Sequence, residues 1–336
     1  MEKDIKIGNV NLDNRIIVGP MAGISNYSFR SILKQFNPAL IYSEMISDKA
    51  ICFNNKKTIQ MCEVKAEEKP IALQLFGHDV ETMVKAAQYM DKQTQCDIID
   101  INMGCPVPKV CRANGGCSLM NEEDYTCQMV KEIVKNIEKP LTVKLRAGWD
   151  NEHINVVSMA KKLSQTGISA IAVHPRTRSQ YYSGHSDWQL IRKVKEEVDN
   201  IPIIGNGDIN SVQDYIDMRQ QTNCDFVMVA RGCLGNPWLI KKLVEYDKYQ
   251  TIIDDPSDLD KIDQCILHGQ RLVELKGEKV GIKEMRGHAC WYINGLPFAN
   301  KIKAKINFME SYQQFIEIME QYRYMIEFDD FSQLNN

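Results

Sequence analysis

Short apolar runs alternate with amphipathic segments along most of the chain. Eight runs are rich in β-branched residues and nearly continuous in hydrophobicity, as buried parallel strands are. Between several of them, apolar residues recur at helical spacing with charged residues between. The predicted strands are 15–19, 39–43, 71–76, 97–102, 141–145, 170–174, 201–205 and 225–230. The helices predicted between them include 80–90, 122–137, 154–165 and 212–220.

Eight strand–helix units within about 250 residues match the count and size of a (β/α)8 barrel. A doubly wound open sheet is the alternative, but it usually has a Gly-rich dinucleotide loop after an early strand, and the sequence has none there. Residues 5–12 alternate apolar and polar around Gly8 and Asn9, which predicts a hairpin before the barrel. We therefore predict an α/β fold built on a TIM barrel.

The character of the sequence changes after Tyr246, and beyond residue 257 the periodicity is only helical. The segment 254–257 is typical of a linker that ends in a helix cap at Ser257 or Asp258. The predicted helices are 259–276, 282–293, 300–309 and 312–326. The chain is thus predicted to hold a barrel domain over 1–250 and a small all-helical domain over 251–336.

Composition agrees with a globular protein. The 336 residues include 41 Lys and Arg against 44 Asp and Glu, a net charge of −3, with 44% hydrophobic and 25% charged residues. These values argue against a disordered chain. The longest apolar runs fall far short of the ~20 residues of a membrane span, and the first residues lack the pattern of a signal peptide. We expect a soluble, cytoplasmic monomer that does not bind membranes.

Charge is unevenly distributed within the helical segment. Residues 270–305 carry eight Lys and Arg against three Glu, a local net charge of +5. Lys283 and Arg286 are three residues apart on one predicted helix, so their charges can follow one row of phosphates. Trp291 and Tyr292 follow, and such aromatic residues either stack on a base or fill a core. The alternative interpretation of the charges is a set of solvated helix faces.

The eleven cysteines do not suggest disulfides or a metal site. Their number is odd and no Cys-x-x-Cys pair occurs, which argues against a secreted disulfide framework and against the usual zinc spacing. Cys105, Cys111 and Cys117 are six residues apart, which matches neither pattern. We expect no metal, and most of these cysteines to be small buried hydrophobic residues.

In a TIM barrel, function gathers at the C-terminal ends of the strands. Glycine-rich turns follow the last two predicted strands, where barrels commonly bind a phosphate through backbone N–H groups. Gly205, Gly207 and Gly232 would let the backbone approach an anion, and Arg231 would add a charge. The alternative is that these are merely tight strand–helix turns.

Three polar residues on other strands point to a heterocyclic cofactor. Gln74 offers an amide face, Lys144 can stabilise negative charge on a reduced ring, and His174 lies on the next strand. Each alone would be explained by an internal hydrogen-bond network. Together with a phosphate site, they suit flavin mononucleotide (FMN). Cys105 lies between Gly104 and Pro106 at a strand end, where its thiol would face the barrel mouth and could act as a general acid if protonated.

The sequence resembles the tRNA-dihydrouridine synthase family over nearly the whole chain. The segment from Lys283 to Tyr292 in the helical domain resembles the bacterial B-type branch of that family. The motifs that carry the resemblance are Pro20-Met-Ala-Gly23, Ser43-Glu-Met45, Gln74-Leu-Phe-Gly77, Asp100-Ile-Asn-Met-Gly-Cys-Pro106, Lys144-Leu-Arg146, His174-Pro-Arg-Thr-Arg178, Asn206-Gly-Asp208 and Ala230-Arg-Gly232.

The resemblance implies an FMN-binding barrel, a helical domain that holds tRNA, and reduction of uridine to 5,6-dihydrouridine with electrons from NADPH. It implies that Cys105 is the proton donor and that Asn102, Arg146 and Tyr182 hold the uracil. The residues it places at FMN are Pro20, Met21, Ala22, Gln74, Lys144, His174, Asn206, Gly207, Asp208, Ala230, Arg231 and Gly232.

Three departures from the family pattern occur, at Ser25-Asn26, at Pro175 and at Ala230. Pro175 has no N–H to donate, whereas Ala230 keeps its own. Two other functions remain open at this stage. One is an FMN barrel that acts on a free pyrimidine, as dihydroorotate dehydrogenase does. The other is a non-catalytic RNA-binding protein that keeps FMN as a structural group.

Overall fold

The structure, a computed structural model, describes residues 5–332 of the chain. The expectation of no signal peptide rests in part on residues 1–4, which lie outside the described residues, as do 333–336. Between residues 5 and 332, no helix is long and apolar enough to cross a membrane. In the same part of the chain, no three His, Cys, Asp or Glu side chains are grouped so that they could hold a metal ion.

A parallel barrel forms the centre of the molecule and confirms the predicted fold. An antiparallel hairpin of β1 (Lys6–Ile7) and β2 (Val10–Asn11) comes first, as predicted. The strands of the barrel then close in the order β10-β3-β4-β5-β6-β7-β8-β9. They are β3 (Ile16–Val18), β4 (Leu40–Ser47), β5 (Ile71–Phe76), β6 (Ile98–Met103), β7 (Leu141–Arg146), β8 (Ala170–His174), β9 (Ile203–Asn206) and β10 (Phe226–Val229).

Helices follow the barrel strands and cover their outer faces. They are α1 (Tyr27–Lys34), α2 (Asp48–Cys52), α3 (Lys56–Met61), α4 (Val80–Gln93), α5 (Pro108–Cys111), α6 (Glu123–Lys135), α7 (Val156–Leu163), α8 (Trp188–Glu197), α9 (Val212–Thr222) and α10 (Trp238–Tyr249). Most boundaries differ from the prediction by one to four residues, and two of these differences have a visible cause. β4 runs four residues further because a bulge between Tyr42 and Met45 lets pairing with β5 continue. α7 begins two residues later because Ile154 pairs with Gly148 in an isolated bridge.

Alternation along the strands divides the barrel into an inner and an outer core. Ile16 and Val18 of β3 belong to the outer core beneath the helices, whereas Ile17 between them faces the interior. Ile7 of the hairpin joins that inner cluster. At the hairpin turn, Gly8 has φ of +59°, and a Cβ there would lie 2.7 Å from the Pro140 ring. Glycine therefore allows the hairpin to pack against the barrel.

The C-terminal helices form a second hydrophobic core. They are α11 (Asp258–Lys276), α12 (Glu278–Tyr292), α13 (Ala299–Asn307) and α14 (Tyr312–Phe328). Ser257 caps α11 in a capping box with Asp260, which confirms the predicted cap. The predicted domain boundary after residue 250 falls one residue beyond the end of α10.

The helical region packs against the barrel through α1 and α11. The Phe29 ring lies 6.1 Å from the ring of His268, and Arg271 donates a hydrogen bond to Ser31 Oγ across 3.0 Å. Trp238 of α10 also packs against the second core. The helical region therefore has a fixed place beside the barrel wall that carries α1.

Candidate active site

A cavity of about 350 Å³ opens at the C-terminal mouth of the barrel, within the range typical of small-molecule sites. Most residues predicted for cofactor binding line it, and so does Tyr182. The predicted residues in its wall are Pro20, Met21, Lys144, His174, Asn206, Gly207, Asp208, Ala230, Arg231 and Gly232. Ile209, Asn210 and Met228 also line it and were not predicted. Ala22 is exposed and does not line the cavity.

Glycine at two of these positions allows the loops after β8, β9 and β10 to approach each other. Gly207 has φ of +128°, and a Cβ there would overlap Ser186 Oγ. A Cβ on Gly232 would overlap the carbonyl oxygen of Ile209. Gly205 behaves differently from the prediction. It does not line the cavity, and a Cβ on it would lie 2.7 Å from Met218 Sδ, so its missing side chain serves the packing of α9.

Lys144 supplies a positive charge to the cavity wall. Its ammonium makes no hydrogen bond or ion pair with any side chain of the described residues, although Asp100 is close enough to influence its pKa. Burial, together with the Arg146 charge, lowers the pKa of Lys144 to about 8. A cation held in this way is stabilised by any anion that enters the cavity. The geometry therefore suits a ligand that carries or develops negative charge.

Arg176 connects the β8–α8 loop to Asp208 in the cavity wall, and the sequence analysis did not predict this role. It is 2% exposed. Its Nη2 donates to both carboxylate oxygens of Asp208 at 2.8 Å and to the carbonyl oxygen of Gly184 at 2.6 Å. Its Nη1 donates to Ser186 Oγ at 2.8 Å. Asp208, predicted to contact FMN, is thus committed to a protein salt bridge. The only sequence feature that could have pointed to Arg176 is its place in the motif His174-Pro-Arg-Thr-Arg178, at the end of β8.

The electrostatics around Asp208 and His174 follow from these contacts. Burial alone would raise the pKa of Asp208, but hydrogen bonds from Arg176 and Ser186 lower it below its ordinary value. Burial, and then the charges of Lys144 and Arg146, hold the pKa of His174 well below its usual range. His174 is therefore neutral at neutral pH, while Asp208 is ionised.

Tyr182 lies over the cavity on the loop between β8 and α8. Its ring is 4.6 Å from the Arg231 guanidinium and 5.5 Å from that of Arg146. It stacks against the His174 ring at 6.4 Å. Tyr182 is 53% exposed, so about half of its side chain is accessible at the mouth, beside two cations. Such a surface favours a planar ring with polar edges.

Gln74, Asn102, Cys105 and Arg146 form a second cluster that adjoins the cavity without lining it. Asn102 of β6 pairs in register with Lys144 of β7. Because Lys144 lines the cavity, this pairing places the cluster next to the cavity wall. Gln74 and Asn102 share a hydrogen bond of 2.8 Å. Gln74 Nε2 also donates to Asp100 at 2.7 Å, so this residue, predicted to contact FMN, has both ends of its amide hydrogen-bonded to the protein.

The Cys105 turn is fixed through its backbone. Asn102 Oδ1 accepts from the backbone N–H groups of Gly104 at 3.1 Å and of Cys105 at 2.8 Å. Burial raises the pKa of the Cys105 thiol above its ordinary value, so the thiol stays protonated at neutral pH. Burial also raises the pKa of Cys117 to about 12, but that side chain is fully buried, whereas Cys105 is 9% exposed. Cys105 is thus the better placed of the two to donate a proton.

Arg146 joins the Cys105 turn to the loop that carries Tyr182. Its Nε donates to the Gly104 carbonyl oxygen at 2.7 Å. Its Nη1 donates to the carbonyl oxygens of Thr177 and Tyr181 at 2.9 and 2.7 Å. Arg146 is 2% exposed, so its first role is to fix two loops at the mouth. Within the described residues, Nη2 makes no hydrogen bond and remains available as a donor.

The predicted tRNA contacts in the helical region differ in their surroundings. Lys283 is exposed on α12. Arg286 is half-buried, and its Nε and Nη2 donate to the Met309 carbonyl oxygen at 3.1 and 2.5 Å. Arg286 therefore ties α12 to the segment after α13. Tyr292 is buried in the second core, whereas Trp291 is 38% exposed.

Comparison with known proteins shows which family the chain resembles. A family model described as dihydrouridine synthase (Dus) matches residues 16–327. The chain is 37% identical over 306 residues to a probable tRNA-dihydrouridine synthase of Rickettsia bellii, covering 91% of this chain and 93% of that one. It is 37% identical over 292 residues to the tRNA-dihydrouridine synthase B of Pasteurella multocida, covering 87% of each.

Similar solved structures share the fold. A 2-naphthoyl-CoA reductase superposes with a TM-score of 0.55 at 15% identity, covering 72% of this chain and about half (51%) of that chain. A histamine dehydrogenase from Rhizobium sp. 4-9 superposes with a TM-score of 0.54 at 12% identity, covering 95% of this chain and 63% of that one. The match to the family model and to the relatives spans both the barrel and the helical region. The chain therefore belongs to the dihydrouridine synthase family of oxidoreductases.

Proposed function

We propose that this chain reduces the C5–C6 double bond of uridines in tRNA to give 5,6-dihydrouridine, with FMN as its flavin and NADPH as the reductant. The observation that carries the proposal is the position of Cys105, a protonated thiol beside a cation-lined cavity in a chain of this family. A thiol held in this state is a proton donor, and the cavity provides room for the group that delivers electrons.

The residues at the mouth fit FMN. Gly207 and Gly232 bring the backbone of two loops into the cavity wall beside the charged Arg231, which suits a phosphate. Lys144 faces the same cavity and its ammonium makes no hydrogen bond or ion pair with residues 5–332, which suits the anionic end of a reduced flavin ring. His174 provides a neutral ring with a polar edge. When bound, FMN supplies the hydride that the reaction adds to C6 of the uracil.

The residues of the chain then complete the reduction. C6 of uracil is electrophilic because it is conjugated to the C4 carbonyl. As the C6–H bond forms, the π electrons move to C5 and O4. The Cys105 thiol donates its proton to C5, and the thiolate left behind regains a proton from water. A positioned general acid is worth about 10²–10⁴-fold in rate.

Two residues are placed to stabilise the charge that develops on the base. Arg146 keeps Nη2 available, and Asn102 keeps the second hydrogen of Nδ2, since its first is donated to Gln74. Either donor can meet a uracil carbonyl oxygen, where a fixed hydrogen bond strengthens as negative charge grows. Tyr182 provides the ring face against which the base stacks.

The substrate base is stacked in folded tRNA and must be extruded into the barrel mouth, which costs a few kcal/mol. Contacts between phosphates and the basic residues of the helical region offset this cost. We place the enzyme in the cytoplasm, where tRNA is found, and we expect a monomer. Dihydroorotate-type chemistry on a free pyrimidine is less well supported because the similarity to tRNA-dihydrouridine synthases includes the helical region.

Mapping of dihydrouridine in cellular RNA tests the proposal. A strain that lacks the gene should lose dihydrouridine at defined tRNA positions, and the wild-type gene should restore it. The Cys105→Ala gene should not restore it to the wild-type level, because the proton donor is missing. Unchanged dihydrouridine in the deletion strain would contradict the proposal.

A further inference from the structure

A line of hydrogen bonds crosses the barrel interior from Asp100 to the Cys105 turn. Gln74 Nε2 donates to Asp100 Oδ2 at 2.7 Å, and Asn102 Nδ2 donates to Gln74 Oε1 at 2.8 Å. Asn102 Oδ1 then accepts from the Cys105 backbone N–H at 2.8 Å. Gln74 and Asp100 are fully buried. Two amide side chains thus connect a buried carboxylate to the residue that bears the thiol.

Strand register produces this line. Gln74 of β5 lies opposite Asp100 of β6. Asp100 and Asn102 are two residues apart on one strand, so both side chains point to the same face. The amide of Gln74 can therefore reach both. β6 ends one residue later, at Met103, which places the Cys105 turn at the end of the line.

The two ends of the line fix the orientation of both amides. An ionised carboxylate only accepts hydrogen bonds, so Gln74 must turn Nε2 toward Asp100. Its Oε1 then faces Asn102, which must donate a hydrogen bond from Nδ2. A backbone N–H only donates, so Asn102 must turn Oδ1 toward Cys105. Reversal of either amide would place two donors or two acceptors together at a buried site, which is unfavourable because a buried polar group is then left without a partner.

Asp100 is itself anchored away from the cavity. Thr142 Oγ1 donates to Asp100 Oδ1 at 2.6 Å, and the Tyr42 hydroxyl lies 3.4 Å from that Oγ1. Burial raises the pKa of Asp100 to about 6, although the hydrogen bonds from Thr142 and Gln74 and the charge of Lys144 act in the opposite direction. Asp100 does not line the cavity, so its carboxylate does not meet a ligand there directly.

We infer that Asp100 is a positioning residue for proton transfer, which acts through Gln74 and Asn102 to hold the Cys105 thiol in place. The inference rests on the proposed function, since it takes Cys105 as the proton donor to C5. A misplacement of about 1 Å at a reacting group costs on the order of 10²-fold in rate. The carboxylate thus contributes to turnover without touching the substrate.

The test compares two substitutions of Asp100. Asp100→Asn preserves the line, because its oxygen can accept from Gln74 while its NH2 group donates to the Thr142 hydroxyl, which can also accept. Asp100→Leu removes the acceptor and frees both amides. Asp225→Asn is the matched control, since Asp225 accepts from the Ile203 backbone N–H at the opposite end of the barrel.

The first readout is the alkylation rate of Cys105, measured by peptide mass spectrometry on the FMN-free and FMN-loaded protein. We expect Asp100→Leu to alkylate at least about tenfold faster at Cys105, since a freed turn exposes a thiol that is otherwise mostly buried. Asp100→Asn and Asp225→Asn should stay within about threefold of wild type. With tRNA, Asp100→Leu should lose about 10²-fold in reduction of the base, measured as the rate of transfer from enzyme that is already saturated with FMN and fully reduced.

If Asp100→Leu also speeds alkylation of the buried Cys117, the substitution has loosened the fold more widely than the Cys105 turn. A second variant, Gln74→Glu, then tests the inference. Gln74→Glu can act in the line only while it is protonated, because it must donate to Asp100 and accept from Asn102. The Cys105 alkylation rate of Gln74→Glu, divided by the wild-type rate at the same pH, should stay near one at low pH. It should rise as the introduced carboxyl group loses its proton. Equal behaviour of Asp100→Asn and Asp100→Leu, or a ratio for Gln74→Glu that does not change with pH, would overturn the inference. Alkylation needs no tRNA, so failure of the proposed function would appear separately, as absence of turnover in the wild type.

Discussion

Arg176 donates a hydrogen bond from Nη1 to Nε2 of His174 across 3.2 Å. A guanidinium has no lone pair that could accept, so Nε2 must be the unprotonated nitrogen of this neutral imidazole. The proton of His174 is therefore on Nδ1. Arg176 thus sets the tautomer of a residue in the cavity wall while it also holds Asp208 and the loop that carries Tyr182.

Arg176→Met should weaken both the fold and the cofactor site. The substitution leaves Asp208 without its main partner, and breaking a buried pair costs about 3–5 kcal/mol. Partial exposure of Asp208 puts the expected loss toward the lower value. Urea unfolding and titration of the FMN-free protein with FMN measure the two effects. Arg178→Met is the control, because Arg178 stacks on Trp149 at 4.6 Å and should cost no more than about 1 kcal/mol. Equal losses in the two variants would contradict this role.

Cys105→Ala should separate the two half-reactions. The variant should bind FMN and be reduced by NADPH at the wild-type rate, while transfer to tRNA falls by about 10²-fold or more, as expected for a lost general acid. Stopped-flow absorbance of the flavin follows both steps. Cys111→Ala and Cys117→Ala should behave nearly as wild type. A comparable loss of transfer in either control would show that another thiol donates the proton.

Lys144 should make FMN affinity depend on pH. Its pKa is lowered to about 8, and the charged form binds an anion best, so affinity should fall as pH rises through about 8. In Lys144→Met, affinity should be low and unaffected over this range. Titration of the FMN-free protein between pH about 6.5 and about 9 checks this.

The same group has the opposite effect on stability without FMN. A lysine whose folded pKa lies below its unfolded value binds fewer protons in the folded state, so stability rises with pH between about 8 and 10. Lys144→Met should therefore be more stable than wild type at pH about 7, by up to about 3 kcal/mol, and the gain should vanish above pH about 10. A destabilised Lys144→Met at neutral pH would contradict this assignment.

Lys283 and Arg286 should give different phenotypes although both were predicted to contact tRNA. Lys283→Ala combined with Lys279→Ala and Lys305→Ala removes exposed charges. It should weaken tRNA binding and reduce the salt slope by about 0.7–0.9 for each lost phosphate contact. Arg286→Ala should instead destabilise the helical region by about 1.5–3 kcal/mol, because it loses charged hydrogen bonds to Met309. Filter binding at two salt concentrations and thermal unfolding distinguish these results, and an unchanged tRNA affinity in the triple variant would show that these charges are only a solvated face.

The sequence predicts the architecture because its signals are local. The barrel strands follow from apolar runs, and the cap at Ser257 follows from the residues that begin α11. Most of the cavity wall was also predictable, because C-terminal strand ends meet at one mouth and their residues can be read in order. Gly207 and Gly232 were placed correctly in the wall by this reasoning.

What the sequence did not reveal depends on distant partners. Arg176 meets Asp208 32 positions later because the β8–α8 loop folds back over the mouth, and no spacing rule connects them. Asp100 and Gln74 are 26 residues apart and meet only through strand register. Gly205 was expected to let the backbone approach an anion as part of the glycine-rich turn after its strand, but alternation along β9 turns it toward α9. The sequence also does not distinguish an exposed Lys283 from an Arg286 committed to Met309.

The most direct test is the reoxidation of the reduced enzyme without oxygen. The protein should be purified with bound flavin, reduced with NADPH, and mixed with tRNA from cells that lack dihydrouridine, with free uridine, or with orotate. We predict rapid return of flavin absorbance with tRNA alone and one dihydrouridine formed for each flavin oxidised. Reoxidation by orotate or free uridine at the same rate, or none with tRNA, would contradict the proposed function.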